Sequence, residues 1–414
     1  MPALPRNRGF DHTAALLREG YDFIGNRCER LRTDMFETRL MLRRVVCMRG
    51  SAAAEIFYDG HRFTRVGAMP ITVLKLLQDF GSVQLLDGSA HRHRKHMFLA
   101  IGAPVASAQL AASLTAELVR RRETWPTGQT IAVFDEIRAA LTRAVLRWAG
   151  LAMAESGVAK RQREFSEMIE ATGTIGPRNW RALLLRRRSE RWARRVITAV
   201  RSGACDVPAE SAIRAIAAHK EPDGRLLAPE VAAVELLNVF RPVVAVARFV
   251  VFGALALHRQ PQTRERIASG DEAYLDAFVE EVRRTTPFFP FIGGRVREAF
   301  TWRGHRFAAG DWVLLDLYGT NHDSRRWPEP AAFRPERFLD RAPGLYDFVP
   351  QGAGDRSRTH RCPGERMTID LVKAALRFLA ALHYTVPDQD LTVDRARIPA
   401  LPRSGLVITP LPSA

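Results

Sequence analysis

The sequence predicts a mainly α fold with a minor β part. Three observations carry that expectation. Apolar residues recur at helical spacing through most of the stretch from Ser89 to about Ile267. The run from Pro229 to His258 is apolar nearly all round, as in a helix buried on every side. Segments rich in β-branched and aromatic residues are short and lie near the two ends of that helical stretch.

Taken in order, Leu40–Met48 reads as a strand and Ala52–Tyr58 as a short helix. Val105–Arg122 and Phe134–Leu151 carry apolar residues on one helical face. Asn179–Arg201 is a strongly basic helix, and its run Arg186-Arg187-Arg188 reads as a solvated face. In the long central helix, Pro229 suits the first helical position and Glu230 complements the dipole there. That helix would span roughly 45 Å, with a local kink at Pro242. A helix over Glu272–Arg284 follows, then short strands at Arg295–Glu298, Trp302–Phe307 and Trp312–Leu317. The last helix covers about Gly364 to Leu382. No Gly/Ser or Pro linker divides the chain, so residues 1–414 are expected to form one domain. Its β-rich portion would cover about 37–65 and 295–320, and its helical portion about 88–285 and 364–382.

Composition excludes several classes. With 46% hydrophobic and 26% charged residues, the chain is not disordered. The start has no apolar core of a signal peptide, and no run of ~18 uninterrupted apolar residues suggests a transmembrane anchor. Cys28, Cys47, Cys205 and Cys362 are too irregularly spaced for a disulfide framework or a zinc site, and a reducing cytoplasm is the expected compartment. The net charge of +17 comes almost wholly from arginine scattered along the chain, and no nucleic-acid motif accompanies it.

Chemistry concentrates around Cys362, in His360-Arg361-Cys362-Pro363-Gly364-Glu365. A Cys just before a helix start has amide groups aimed at its sulfur, which favours the metal-binding thiolate. His360 and Arg361 are expected to add positive charge beside it. Upstream, Glu281 and Arg284 lie three apart on one helix and can pair. Arg337, in Pro335-Glu-Arg-Phe338, can join them.

Together these motifs resemble a cytochrome P-450 along essentially the whole chain. The resemblance implies a haem b between a long distal helix and a proximal Cys loop and helix, with Cys362 as the axial ligand. The distal helix departs from the usual family pattern: Pro229–His258 contains no Ser or Thr, so the acid–Thr pair that normally delivers protons is missing. It carries Arg241 and Pro242 instead, and a charge in so apolar a run is costly unless paired. Either a protein carboxylate pairs with Arg241, or Arg241 awaits a substrate carboxylate that a guanidinium grips bidentately. Arg248 reads as structural. The Arg-Pro pair resembles the fatty-acid peroxygenase branch, as do Phe63–Pro70, Gln84–Lys95 and the long loop from Phe348 to Cys362.

That resemblance implies hydroxylation of a free fatty acid at its α or β carbon with hydrogen peroxide. The substrate carboxylate, on Arg241, would act as general acid–base, and no redox partner would be required. Arg241, Pro242 and Gln84 are then the catalytic candidates. In the resembling branch, Gln at the place of Gln84 goes with hydroxylation and His with decarboxylation to an alkene; a neutral Gln cannot donate a proton as a charged His can. His91, Lys95, Arg65 and Arg295 are the expected haem propionate partners, and Phe288 and Phe289 candidate substrate contacts. A dioxygen-dependent monooxygenase fed by redox partners, a fatty-acid decarboxylase giving terminal alkenes, and a non-catalytic haem sensor are the competing readings.

Overall fold

The computed structural model describes residues 4–59, 61–126 and 128–412. The apolar helical faces close on one large core that runs from Leu76 to Ile408. At its centre is the expected long helix. It forms as Pro229–Ala245 and Ala247–Arg259, with Pro229 at the first helical position. Pro242 has no N–H to give and its ring crowds the preceding turn. The helix nevertheless continues through Pro242 and breaks one turn later, where Val246 donates to the Val243 carbonyl in a tighter turn at 3.1 Å. This is the described helix long and apolar enough to cross a bilayer, and 89% of its most apolar window is buried inside the protein.

The minor β part is a five-stranded sheet. Met35–Leu40, Arg43–Met48, Trp312–Asp316, Phe291–Val296 and Phe63–Thr64 lie side by side in that order. Arg43–Met48 and Trp312–Asp316 run parallel, with Val46 opposite Val313 and Met48 opposite Leu315. This pairing joins the two sequence-distant β regions into one layer, over a core that includes Phe57, Phe63, Phe307 and Leu315.

Three strand expectations are corrected. Leu40–Met48 is the second half of a hairpin, whose turn residues Met41 and Leu42 have φ of 52° and 62°. That mirror-image turn suits a twisted hairpin but usually advertises itself with Asn-Gly, and here no such signal exists. Trp302–Phe307 is likewise a hairpin, Phe300–Trp302 with His305–Phe307, turning at Arg303 and Gly304. The strand expected at Arg295–Glu298 begins earlier, at Phe291.

The basic helix forms over Pro177–Arg201. Its face is not uniformly solvated: Arg187 and Arg188 are exposed, whereas Arg186 is buried at 1% exposure. Arg248 is structural as expected from the sequence, donating to Glu170 at 2.5 Å.

Candidate active site

Cys362 ends an irregular loop immediately before the helix Glu365–Ala381. The loop is held from both sides. The Cys362 N–H donates to the Gln351 carbonyl at 2.9 Å. Gly352, at φ 97°, passes so close to Arg361 that a Cβ would stand 2.9 Å from its Cα, which is why glycine is needed there. Lys95, on the helix Gly88–Ile101, pushes its ammonium into the loop and donates to the Thr359 carbonyl and, at 2.6 Å, to that of Arg361.

The electrostatics around the sulfur differ from the sequence expectation. Burial pushes the free thiol up, and Glu365 adds to this, outweighing the Gly364 amide and the charges of Lys95 and Arg356. The thiolate form therefore depends on a bound metal rather than on the helix start alone. His360 is not a charged neighbour either. Burial, with Arg65 and His91 close by, holds its imidazole well below its ordinary value. Arg361 spends its charge on Glu365, with Nε donating at 2.7 Å.

The second set of candidate side chains lies on the central helix. Arg241 is 4% exposed, and its Nη1 donates to the Leu76 carbonyl at 2.9 Å. Its Nη2 donates to the Leu77 carbonyl and to Asn238 Oδ1 at 3.3 Å. Among the described residues no carboxylate stands within 4.0 Å of this guanidinium. Burial and the nearby Arg186 therefore hold its pKa well below the usual arginine range. Of the two readings open in the sequence, pairing with a protein carboxylate is the one the geometry does not provide. Pro242 is exposed although its helical neighbours on both sides are buried, so this face of the helix borders open space.

Glu281 and Arg284, both 0% exposed, form a two-pronged pair at 2.7 and 2.8 Å. Arg337 Nε reaches the same carboxylate at 3.3 Å, and the Arg334 amide donates to it at 2.8 Å. Arg284 also donates to the Asn321 and Pro330 carbonyls, tying the helix Glu272–Thr285 to the segment before the Cys loop. Phe288 stacks on Phe249 of the central helix at 4.5 Å and meets Phe289 edge-on, while Phe289 is 40% exposed.

A family model described as Cytochrome P450 matches residues 268–387, the part that holds the Glu281 pair and Cys362. Cytochrome P450 4e5, mitochondrial, of Drosophila mettleri is 30% identical over 122 residues, 30% of this chain and 23% of that protein. Cytochrome P450 6j1 of Blattella germanica is 33% identical over 144 residues, 34% of this chain and 28% of that protein. These matches thus span about a quarter of the length of the curated relatives. Solved structures extend the likeness to the whole chain. Cytochrome P450SP alpha (CYP152B1) in complex with (R)-ibuprophen is 43% identical with a TM-score of 0.94, covering 97% of this chain and 98% of that one. Cytochrome P450EX alpha (CYP152N1) with myristic acid is 38% identical with a TM-score of 0.95, covering 99% of both. A variant of cytochrome P450 OleT in complex with arachidonic acid is 31% identical with a TM-score of 0.95, covering 99% and 98%.

The chain belongs to the cytochrome P450 family.

Membership implies haem b with a cysteine thiolate ligand, and the side chains of this P450 fit one. Arg65 and Lys95 are 7% and 1% exposed; Lys95 lies close enough to act on Cys362 and Arg65 on His360, with no carboxylate within 4.0 Å of either among the described residues. Burial lowers Lys95 to about 8. His91 and His360 pack ring to ring at 4.0 Å beside them, and burial and Lys95 lower His91 to about 4. Buried cations lacking counter-charges are what two propionates would satisfy. Arg65, Lys95 and His91 would hold those propionates, and Cys362 the iron. Arg295 is not brought into this cluster: its guanidinium donates to the Gly67 and Gly310 carbonyls and lies 5.4 Å from the Trp312 ring.

Two residues on the distal side escaped the sequence reading. Asn238 accepts from Arg241 and donates from Nδ2 to Gln84 Oε1 at 3.3 Å, so it links Arg241 to Gln84. Glu235, 0% exposed, accepts from Asn238 at 3.0 Å, from Arg94 at 2.9 Å and from the Val83 amide at 2.7 Å. That carboxylate pins the segment carrying Gln84 to the central helix. The available signal was the spacing Glu235–Asn238–Arg241, three residues apart on one helical face.

Proposed function

We propose that this P450 is a haem-thiolate peroxygenase that hydroxylates free fatty acids at the α or β carbon with hydrogen peroxide. The observation that carries the reading is Arg241. It is a buried guanidinium with no carboxylate within 4.0 Å among the described residues, on a distal helix that has no Ser or Thr. Two similar structures, P450EX alpha with myristic acid and the OleT variant with arachidonic acid, support the substrate class.

When bound, the haem supplies cleavage of the peroxide O–O bond and oxygen transfer to carbon. The chain's own residues do the rest. Arg241 binds the substrate carboxylate, while the Leu76 and Leu77 carbonyls and Asn238 fix the plane of its guanidinium. Held there, the carboxylate takes a proton from one peroxide oxygen and returns it to the other, which an acid–Thr pair does elsewhere in the family. Anchoring the head group leaves the α and β carbons nearest the oxidant, so regiochemistry follows from tethering. Gln84, a neutral amide already engaged by Asn238, offers no acidic proton there, which favours hydroxylation over loss of the carboxyl group.

The test mixes haem-loaded protein with a long-chain fatty acid and hydrogen peroxide, with no reductase, and analyses products by mass spectrometry. A 2- or 3-hydroxy acid is expected. A one-carbon-shorter alkene as main product overturns the role given to Gln84. Turnover only with dioxygen and an electron-donor protein overturns the peroxygenase reading.

A further inference from the structure

The Arg-rich helix Pro177–Arg201 has an outer face that the proposed chemistry does not use. Trp180 and Leu184 are 64% and 58% exposed, and Ile175, just before the helix, is 77% exposed. Arg181, Arg187, Arg188, Arg191 and Arg195 are all exposed. At 100° per residue, their spacing from Trp180 puts them on the same side as Trp180 and Leu184. None of these five has a carboxylate within 4.0 Å among the described residues; their neighbour Arg194 pairs with Glu230 at 3.1 Å. The acid of this helix, Glu190, is drawn inward by Arg186 Nε at 2.6 Å. Apolar side chains left in water beside uncompensated arginines are neither a core nor an ordinary solvated face.

We propose that this face docks on an anionic lipid bilayer. Bare positive charge calls for a negative partner, and nucleic acid and lipid headgroups both supply one. The exposed Trp180, Leu184 and Ile175 decide between them: apolar side chains gain by entering the headgroup and acyl boundary, while the arginine stems lie along it with their charges at the phosphates. Position agrees. The helix packs against Ile71–Leu77, whose last carbonyls hold Arg241, and its inner face carries Arg186, close enough to perturb Arg241. The lipid face therefore lies across one helix from the carboxylate anchor. Resting on the fatty-acid reading, this sets the bilayer, a source of substrate, one helix away from Arg241.

The experiment is co-sedimentation of the holoprotein with vesicles of pure phosphatidylcholine or of phosphatidylcholine with 30% phosphatidylglycerol. Binding to the anionic vesicles is expected, at least tenfold tighter than to neutral ones and weakened by 0.5 M salt. Each arginine at an anionic surface is worth about fivefold in affinity, so R187E/R188E should lose at least about 30-fold. W180S/L184S should also weaken binding while leaving retention on duplex DNA unchanged. Both variants should keep the haem spectrum and peroxide-driven turnover of dissolved fatty acid. No retention on anionic vesicles, or retention indifferent to both variants, overturns the proposal. So does duplex DNA that displaces the vesicles and binds independently of Trp180 and Leu184. If vesicle binding fails while turnover of dissolved fatty acid persists, the lipid inference falls alone. If turnover itself fails, the functional reading falls.

Discussion

Replacing Arg241 with Met separates a functional charge from a structural one. The guanidinium is 4% exposed and among the described residues donates to two carbonyls and one amide oxygen, at 2.9 Å for Leu76 and 3.3 Å for Asn238. A desolvated cation whose carboxylate neighbour, Asp79, lies beyond 4.0 Å is a cost to the folded protein, and an apolar side chain of similar length removes it. Arg241→Met should therefore fold, retain haem, and melt no lower than the parent. Binding of the fatty-acid carboxylate loses its buried charged partner, worth about 2–5 kcal/mol. That corresponds to a fall of about 30- to 5,000-fold in kcat/KM for peroxide-driven hydroxylation. Losing the positioned carboxylate as acid–base lowers kcat as well. The assay is steady-state product formation with hydrogen peroxide, beside thermal denaturation and a fatty-acid titration of the haem spectrum. A purely structural Arg241 makes stability and activity fall together. Turnover within threefold of the parent, or a loss of activity no greater than the loss of folded protein, refutes the anchor mechanism.

Other substitutions report on the parts around it. Asn238→Leu breaks the link between Arg241 and Gln84 at about 1–3 kcal/mol, so turnover should fall about 5- to 150-fold, read by product formation with haem content unchanged. Glu281→Gln leaves Arg284 charged and unpaired at 0% exposure; it should cost about 3–5 kcal/mol and lower the melting temperature by several degrees, measured by thermal denaturation. Asp316 is fully buried, with Oδ1 accepting from the Gly319 amide at 2.7 Å and Oδ2 without a partner; burial raises its carboxyl to about 7 from 3.8. Between those values the folded protein keeps a proton that the unfolded chain releases. Its contribution to stability is therefore full below pH 3.8, falls as pH rises to about 7, and is flat above. Asp316→Asn should accordingly stabilise the protein more at pH 8 than at pH 5, by up to about 3 kcal/mol. Denaturant titrations at the two pH values check this, and an equal effect at both refutes it.

Much of the site was legible because its signals are local. Cys362 before a helix start, Glu281 three residues from Arg284, and an Arg-Pro pair in a helix without hydroxyl residues are each contained in a few consecutive turns. The misreadings have a common cause. The hairpins at Met41-Leu42 and Arg303-Gly304 turn through positive φ without the usual residue pair; the five-stranded sheet supports the first, and packing of Phe300 on Phe63 and Phe307 supports the second. Arg295 occupied the expected place in the chain, yet its side chain lies against Trp312 and backbone carbonyls. His360 looked cationic by type and is held neutral by burial among cations.

By itself the sequence determined which elements form and which side chains carry chemistry, since helical periodicity, capping and residue type act within one or two turns. Tertiary structure alone decided the charge state or partners of Arg241, Cys362 and Asn238. Whether Arg241 meets a carboxylate, whether Cys362 rests as thiol, and whether Asn238 touches Gln84 depend on which surfaces pack across gaps of more than a hundred residues. Desolvation and hydrogen bonding are properties of that packing, and one-dimensional spacing does not encode them.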